Sequence, residues 1–127
     1  MGLGPVFAAT PILQRHGLGL NDIDVWEINE AFAAQVLACR QAWSNEAWCR
    51  EHLGQDALGE LDMDRLNITG GAIAIGHPVG ASGARIVLRS LHLLKERGEK
   101  TAMAAICIGG GQGGAMLLES CSGAQES

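Results

Sequence analysis

Three short segments hold the residues best suited to chemistry. The first is Asn29-Glu30-Ala31-Phe32-Ala33-Ala34-Gln35, the second is the glycine-rich run 70–85 around His77, and the third is Cys107-Ile108 followed by Gly109-Gly110-Gly111-Gln112-Gly113-Gly114. A thiol with a pKa of about 8.5 lies close enough to neutrality to accept and return a proton. Glycines beside it leave backbone N–H groups uncovered, as an oxyanion site requires. The same Cys107 also suits a plain core position, because buried free cysteine is common. His77, between Gly76 and Pro78 in an apolar stretch, is either an acid/base group tuned by burial or a core histidine with satisfied nitrogens. Asn29 stands where a strand gives way to a helix, a frequent place for functional residues in α/β folds. Asn29 also suits a plain helix cap, and Glu30 suits the positive end of the helix that follows.

The elements that must position these residues are legible in outline. Thr10-Pro11 reads as an N-cap and first helical position, and Gly17 as the stop, which predicts a short helix over 11–16. Asn21 to Asp24 is a polar turn, and Val25 to Ile28 alternates as a short strand does. From Ala31 the pattern is helical, with Phe32, Val36, Cys39 and Trp43 on one face, and the helix either runs to Leu53 or restarts near Asn45. Gly54 ends it, and 55–64 is a polar, acidic surface connection. Leu66 to Thr69 suits a short strand. Residues 72–83, with three glycines and Pro78, predict a buried irregular loop. Ser82 is placed to cap a helix running to Arg97, with a buried stripe of Ala84, Val87, Leu88, Leu91 and Leu94, and Gly98 as its end. Thr101 to Ile108 reads as a central buried strand. With Ala115 to Leu118 it forms a hairpin turned by Gly109-Gly110-Gly111. Helices alternating with strands predict a layered α/β domain over 1–119. Residues 120–127 read as a polar, disordered tail.

Composition narrows the function. The 127 residues suffice for one domain, and the 18 glycines cluster at 70–83 and 109–114, where backbone must approach something closely. A net charge of −5 and the absence of any basic run exclude nucleic acid and anionic membrane as partners. An acidic chain also needs help from another domain to hold a polyphosphate. The four cysteines show neither C-x-x-C pairing nor zinc spacing, so we expect free thiols, no metal and a cytoplasmic setting. No targeting segment or long apolar span is visible. The opening Met1-Gly2-Leu3-Gly4-Pro5 fits a domain taken from a longer protein.

In this order the motifs Asn-Glu-Ala-Phe-Ala (29–33), Gly-Gly-Ala-Ile-Ala-Ile-Gly-His-Pro-x-Gly-Ala-Ser-Gly-Ala-Arg (70–85) and Cys-Ile-Gly-Gly-Gly-x-Gly (107–113) closely resemble the C-terminal domain of the thiolases, CoA-dependent acyltransferases that include acetyl-CoA acetyltransferase and 3-ketoacyl-CoA thiolase. Residues 1–5 resemble the motif that opens that region; 43–66 is the least typical part. The resemblance implies a thiolase-like layered α/β/α domain with a mixed sheet, beginning after the domain's first strand, so that a sheet edge and a domain face would lie open. It implies reversible Claisen chemistry of fatty-acid metabolism and β-oxidation: acyl-CoA and acetyl-CoA giving 3-oxoacyl-CoA and CoA. By motif position, Cys107 moves the α proton, and His77 activates the nucleophile and helps bind the thioester oxygen. Asn29 holds a water at that oxygen, and the N–H of Gly109 serves the second oxyanion site. Met1, Ala31 and Phe32 line the acyl and pantetheine pocket. CoA thioesters are implied as substrates, with no tightly bound cofactor. The implied partners are the thiolase N-terminal domain, which carries the nucleophilic cysteine, and further copies in a homo-oligomer.

The resemblance assigns no role to Cys39, Cys49 or Cys121, and His16, His52 and His92 read as surface residues. Without the nucleophile, the 127-residue chain is expected to be inactive alone. Two other readings stand beside this one. One is a stand-alone CoA-binding or assembly module, opposed by the acidic charge. The other is a cysteine hydrolase built on Cys107 and His77, for which no hydrolase motif is present.

Overall fold

The structure is a computed structural model and describes residues 3–108 and 112–121. The predicted glycine turn at 109–111 and most of the predicted tail lie outside the described residues. The chain opens with α1 (Gly4–His16), which starts seven residues earlier than the sequence predicts. Pro5 takes the early position that proline favours, and Pro11 sits inside the helix. Pro11 is exposed, so the carbonyl it leaves unpaired one turn back faces water. Thr10 is no cap: its hydroxyl donates to the Val6 carbonyl within the helix. Gly17 ends α1 in the left-handed conformation, as expected.

A single 3₁₀ turn (Leu20–Asp22) leads into β1 (Val25–Ile28), where the sequence places it. All four β1 residues are buried, Glu27 included. Helix α2 (Ala33–Ser44) starts two residues later than predicted, after an extended Phe32. Val36, Cys39 and Trp43 face the core as expected, but Phe32 is 74% exposed. The helix stops at Asn45, whose side chain accepts a hydrogen bond from the Trp48 amide and starts α3 (Glu46–His52). In the 55–64 connection Leu61 is buried and anchors the segment in the core, with Leu58 packed against the same cluster. Instead of a strand at 66–69 there is a single bridge from Leu66 to Trp26.

Residues 72–83 are not a buried loop. They form a one-turn helix, α4 (Ala72–Ile75), and an exposed turn, with only Ala72 and Ser82 buried, because no described element packs over Ile73, Ile75 or Val79. Helix α5 (Ser82–Arg97) has the predicted extent and its left-handed Gly98 stop. Its buried face is Ser82, Ile86, Ser90, Leu93 and Leu94. Of the predicted stripe Leu94 is buried, but the rest is turned away from the sheet: Leu88 is 59% exposed and Leu91 43%.

Strands β2 (Thr101–Ile108) and β3 (Gln112–Glu119) form the predicted hairpin, and the sheet order is β1-β2-β3. β1 pairs parallel to β2 and β2 antiparallel to β3, so the sheet is mixed. Side chains alternate across it. Trp26, Ile28, Met103 and Ala105 join a cluster with Val6, Leu13, Cys39 and Trp43 of α1 and α2. Val25 and Ala102 join Leu93 and Leu94 of α5 on the other face. The result is the expected α/β/α layering. Among the described residues no helix is long and apolar enough to cross a membrane.

Candidate active site

The parallel pair β1–β2 defines one end of the sheet, the end where both strands finish. In α/β sheets this carboxyl end is where sites form. Asn29 follows β1 directly, and its amide donates to Ala105 of β2 at 2.9 Å. Cys107 is the second-last residue of β2. Helix α5 packs on β1 and β2 and returns into β2 through three residues. It spans about 24 Å and β2 about 26 Å, so the first turn of α5, with Ser82 and the neighbouring His77, lies at the same end.

Cys107 is half-buried and pairs in register with Gly113. By alternation it shares the α1 face with Met103 and Ala105. That face is crowded: a Cβ built on Gly113 would overlap the Gly4 carbonyl, and one on Gly4 would lie 2.6 Å from the Gln112 carbonyl oxygen. The start of α1 therefore rests on bare backbone beside Cys107. Cys39 of α2 also lies near enough for the two thiols to interact electrostatically, and burial pushes Cys39 up to about 11.

Asn29 is 3% exposed, and its side-chain Nδ2 finds no acceptor among the described residues. A buried unpaired donor costs about 1–3 kcal/mol, so each such atom requires a physical explanation. Gln35, 5% exposed, has both side-chain polar atoms in the same condition.

Glu30 does not serve the start of α2. Its carboxylate accepts from Asn67 Nδ2 at 3.1 Å and from the Ile73 amide of α4 at 3.3 Å. Asn67, in a left-handed conformation (φ 47°), also brackets Ile28: Oδ1 accepts the Ile28 amide at 2.9 Å, and Nδ2 donates to the Ile28 carbonyl at 2.9 Å. Gly71 permits the approach, since a Cβ there would lie 2.6 Å from Glu30 Oε1.

His77 is held from α5. Its Nδ1 lies 2.6 Å from Ser82 Oγ, and Ser82 is fully buried. Ser82 is thus the partner of His77 rather than a helix cap. Two further α5 side chains grip the same loop: Arg85 Nη1 donates to the Gly76 carbonyl at 2.8 Å, and Arg89 Nη1 to Thr69 Oγ1 at 2.5 Å. Beneath this end, on the α5 face, Glu27 is 2% exposed with Oε2 unpaired among the described residues. Burial pushes its carboxyl up to about 7, with a push from the Glu30 charge and an opposing pull from Arg89.

The fold thus brings the expected Asn29, His77 and Cys107 to one end of the sheet. Ala31 is half-buried and Phe32 exposed beside Asn29. Met1 and Gly109 lie outside the described residues. Sequence reasoning missed Ser82, Glu30, Asn67, Arg85 and Arg89 as supports, although the glycine pair at 70–71 had marked a close backbone approach. His16, His52 and His92 are exposed as expected. Among the described residues no group of three or more His, Cys, Asp or Glu could hold a metal ion.

Comparison with known proteins gives consistent results. Residues 1–120 match the sequence profile described as "Thiolase, C-terminal domain". The chain is 44% identical over 121 residues to a 3-ketoacyl-CoA thiolase of Pseudoalteromonas translucida, covering 94% of this chain and 28% of that protein. It is 43% identical over 120 residues to the 3-ketoacyl-CoA thiolase of Serratia proteamaculans, with the same coverage. The chain therefore spans just over a quarter of the length of the curated relatives it matches. Among solved structures, human mitochondrial 3-ketoacyl-CoA thiolase superposes with a TM-score of 0.75 at 44% identity, over 94% of this chain and 26% of that one. That human enzyme has also been solved in complex with CoA, matching with the same score and coverage. Acetyl-CoA acetyltransferase from Syntrophomonas wolfei gives a TM-score of 0.77 at 39% identity, over 93% and 27%.

Proposed function

Since this chain belongs to the thiolases as a C-terminal domain, we propose that it supplies the proton-transfer and oxyanion half of a CoA-dependent acyltransferase site. The single observation that carries the reading is the gathering of Asn29, His77 and Cys107 at the carboxyl end of β1–β2, with a buried Asn29 donor that is unpaired among the described residues. In the reaction, an acyl group rests as a thioester on a cysteine of the N-terminal domain, which this chain does not contain. A second CoA thioester then loses an α proton, and the carbanion attacks the first thioester. The reverse direction cleaves a 3-oxoacyl-CoA.

Each step has a matching group here. The α proton leaves only if the enolate oxygen meets preorganised donors. His77 presents Nε2 for this, because Nδ1 is engaged by Ser82. For Nε2 to carry the proton and donate, the Ser82 hydroxyl must donate to Nδ1. The Nδ2 of Asn29, unpaired among the described residues, donates to a water at the same oxygen. The Cys107 thiolate takes the α proton and returns it in the reverse reaction. The Gly109 N–H is assigned to the second oxyanion site, and Met1, Ala31 and Phe32 to the walls of the acyl and pantetheine pocket.

The absent domain also has a surface to meet. Leu88, Leu91, Ala84 and Val87 of α5 face an open groove of about 500 Å³, closed on its other side by Ile106 and Met116. We assign this groove to the nucleophile-bearing domain, and expect the 127-residue chain to be inactive alone. The test is a hybrid in which this chain replaces the matching region of a 3-ketoacyl-CoA thiolase. Exchange of the acetyl-CoA α protons with solvent should vanish in Cys107→Ala. Normal exchange would overturn the role of Cys107, and thiolysis by the chain alone would overturn the division of the site.

A further inference from the structure

The loop from Asn67 to His77 is fastened on two sides. Helix α5 holds it through Arg89 to Thr69, Arg85 to Gly76 and Ser82 to His77. The other side is Glu30. One carboxylate oxygen takes the Ile73 amide, four residues before His77, and the other takes Asn67, which in turn pins both backbone groups of Ile28. Glu30 is covalently adjacent to Asn29, so the carboxylate joins Asn29 to the segment that ends in His77. Gly71 accommodates the carboxylate, where any other side chain would strike it. A helix-dipole role does not account for these bonds, because α2 begins three residues later and the carboxylate is turned to other segments.

We propose that Glu30 is a positioning residue that holds Asn29 and His77 in one frame, so that their donors converge on the same thioester oxygen. The proposal rests on the roles given to Asn29 and His77 above. It follows from the chemistry of the contact: two N–H donors converge on one side chain, and only a carboxylate offers both an acceptor without carrying a donor of its own. Glu30→Gln keeps the shape but turns an NH₂ group toward an N–H.

Two measurements test this. In the hybrid thiolase, Glu30→Gln should lower kcat about tenfold to a hundredfold, the range for losing one charge-assisted hydrogen bond. KM for the CoA thioester should stay within about twofold, since Glu30 does not touch substrate. In a His77→Ala hybrid the same change should add less than about twofold, because the partner it acts through is gone. An unchanged kcat, or equal losses in both backgrounds, would overturn the proposal. The second measurement, amide hydrogen exchange on the 127-residue chain, does not depend on the catalytic reading. Glu30→Gln should speed exchange at Ile73 and Ala74 about tenfold, while Met103 and Ala105 keep their protection. Unaltered exchange at Ile73, or equal loss across the sheet, would count against it. If His77→Ala leaves the hybrid fully active while Ile73 loosens as expected, the reading of His77 fails and the tie through Glu30 stands.

Discussion

His77 has two ring nitrogens, and Ser82 decides what the second can do. In the role proposed for His77, the Ser82 hydroxyl donates to Nδ1 and Nε2 is the N–H donor. Ser82→Ala removes that choice and leaves a fully buried position with no hydroxyl. In the hybrid enzyme we expect kcat to fall about tenfold. The ¹⁵N shifts of the His77 ring should move from one tautomer to a mixture, and an unchanged ring spectrum would show that Ser82 sets nothing. At this scale the motifs placed Asn29, His77 and Cys107 in the sequence, and their glycines pointed to close backbone contact. The supports were not legible, because Asn67 and Glu30 lie 37 positions apart in the chain and no periodicity reports such a pair. Ser82 reads as a cap because serine at a helix start usually caps; in the fold its hydroxyl is taken by a histidine five residues earlier.

Elements meet through backbone at one junction and through indole rings at another. The start of α1 lies on the start of β3 with no side chain between Gly4 and Gly113. Gly113→Ala forces the two apart, and we expect it to cost about 2–3 kcal/mol, read as a lowered urea midpoint of the 127-residue chain. Trp43 packs edge-on to Trp26 at 5.3 Å and donates from Nε1 to Thr10 Oγ1 at 3.1 Å, so it locks α2 to α1 and β1. Trp43→Phe should cost about 2 kcal/mol in the same measurement. Element types were largely legible from pattern, with two instructive exceptions. Helix α1 was underestimated because Pro11 reads as a start, whereas its exposed face tolerates the missing bond. Apart from Leu94, the α5 stripe read from spacing is the wrong one, because apolar spacing alone cannot tell which of two apolar faces meets the sheet. The observed face contains Ser82 and Ser90, the latter bonded to the Ile86 carbonyl within its own helix. Leu88→Ser separates the two assignments: we expect a stability change within about 0.5 kcal/mol, whereas a core leucine would cost several times more.

For the molecule as a whole, the buried carboxyl of Glu27 links stability to pH. Its value rises from 4.5 to about 7 in the fold, chiefly through burial. The contribution of the protonated form is fully present below 4.5 and is lost as pH rises through 7. At about 1.4 kcal/mol per unit, the loss is on the order of 3 kcal/mol. Urea unfolding at pH 5 and pH 8 should show the native chain weaker at pH 8, and Glu27→Gln should remove most of that difference. A pH difference that survives the substitution would place its origin elsewhere. The layered α/β character is legible from helices alternating with strands alone, whereas the mixed sheet is foreseen only through the family resemblance. What pattern could not reveal is how far apart in the chain the partners lie. Asp24 bonds Thr101 across 77 residues, and α1 packs against β3, the last strand. This arrangement has a consequence for biosynthesis. The first described helix cannot complete the packing of its apolar face until residues 101–119 have been made, and β1 cannot pair with β2 until 101–108 have. Ordering of the sheet end that holds Asn29 and Cys107 should therefore be a late and slow event, dominated by long-range closure. The nascent chain should be most prone to aggregation just before the hairpin emerges.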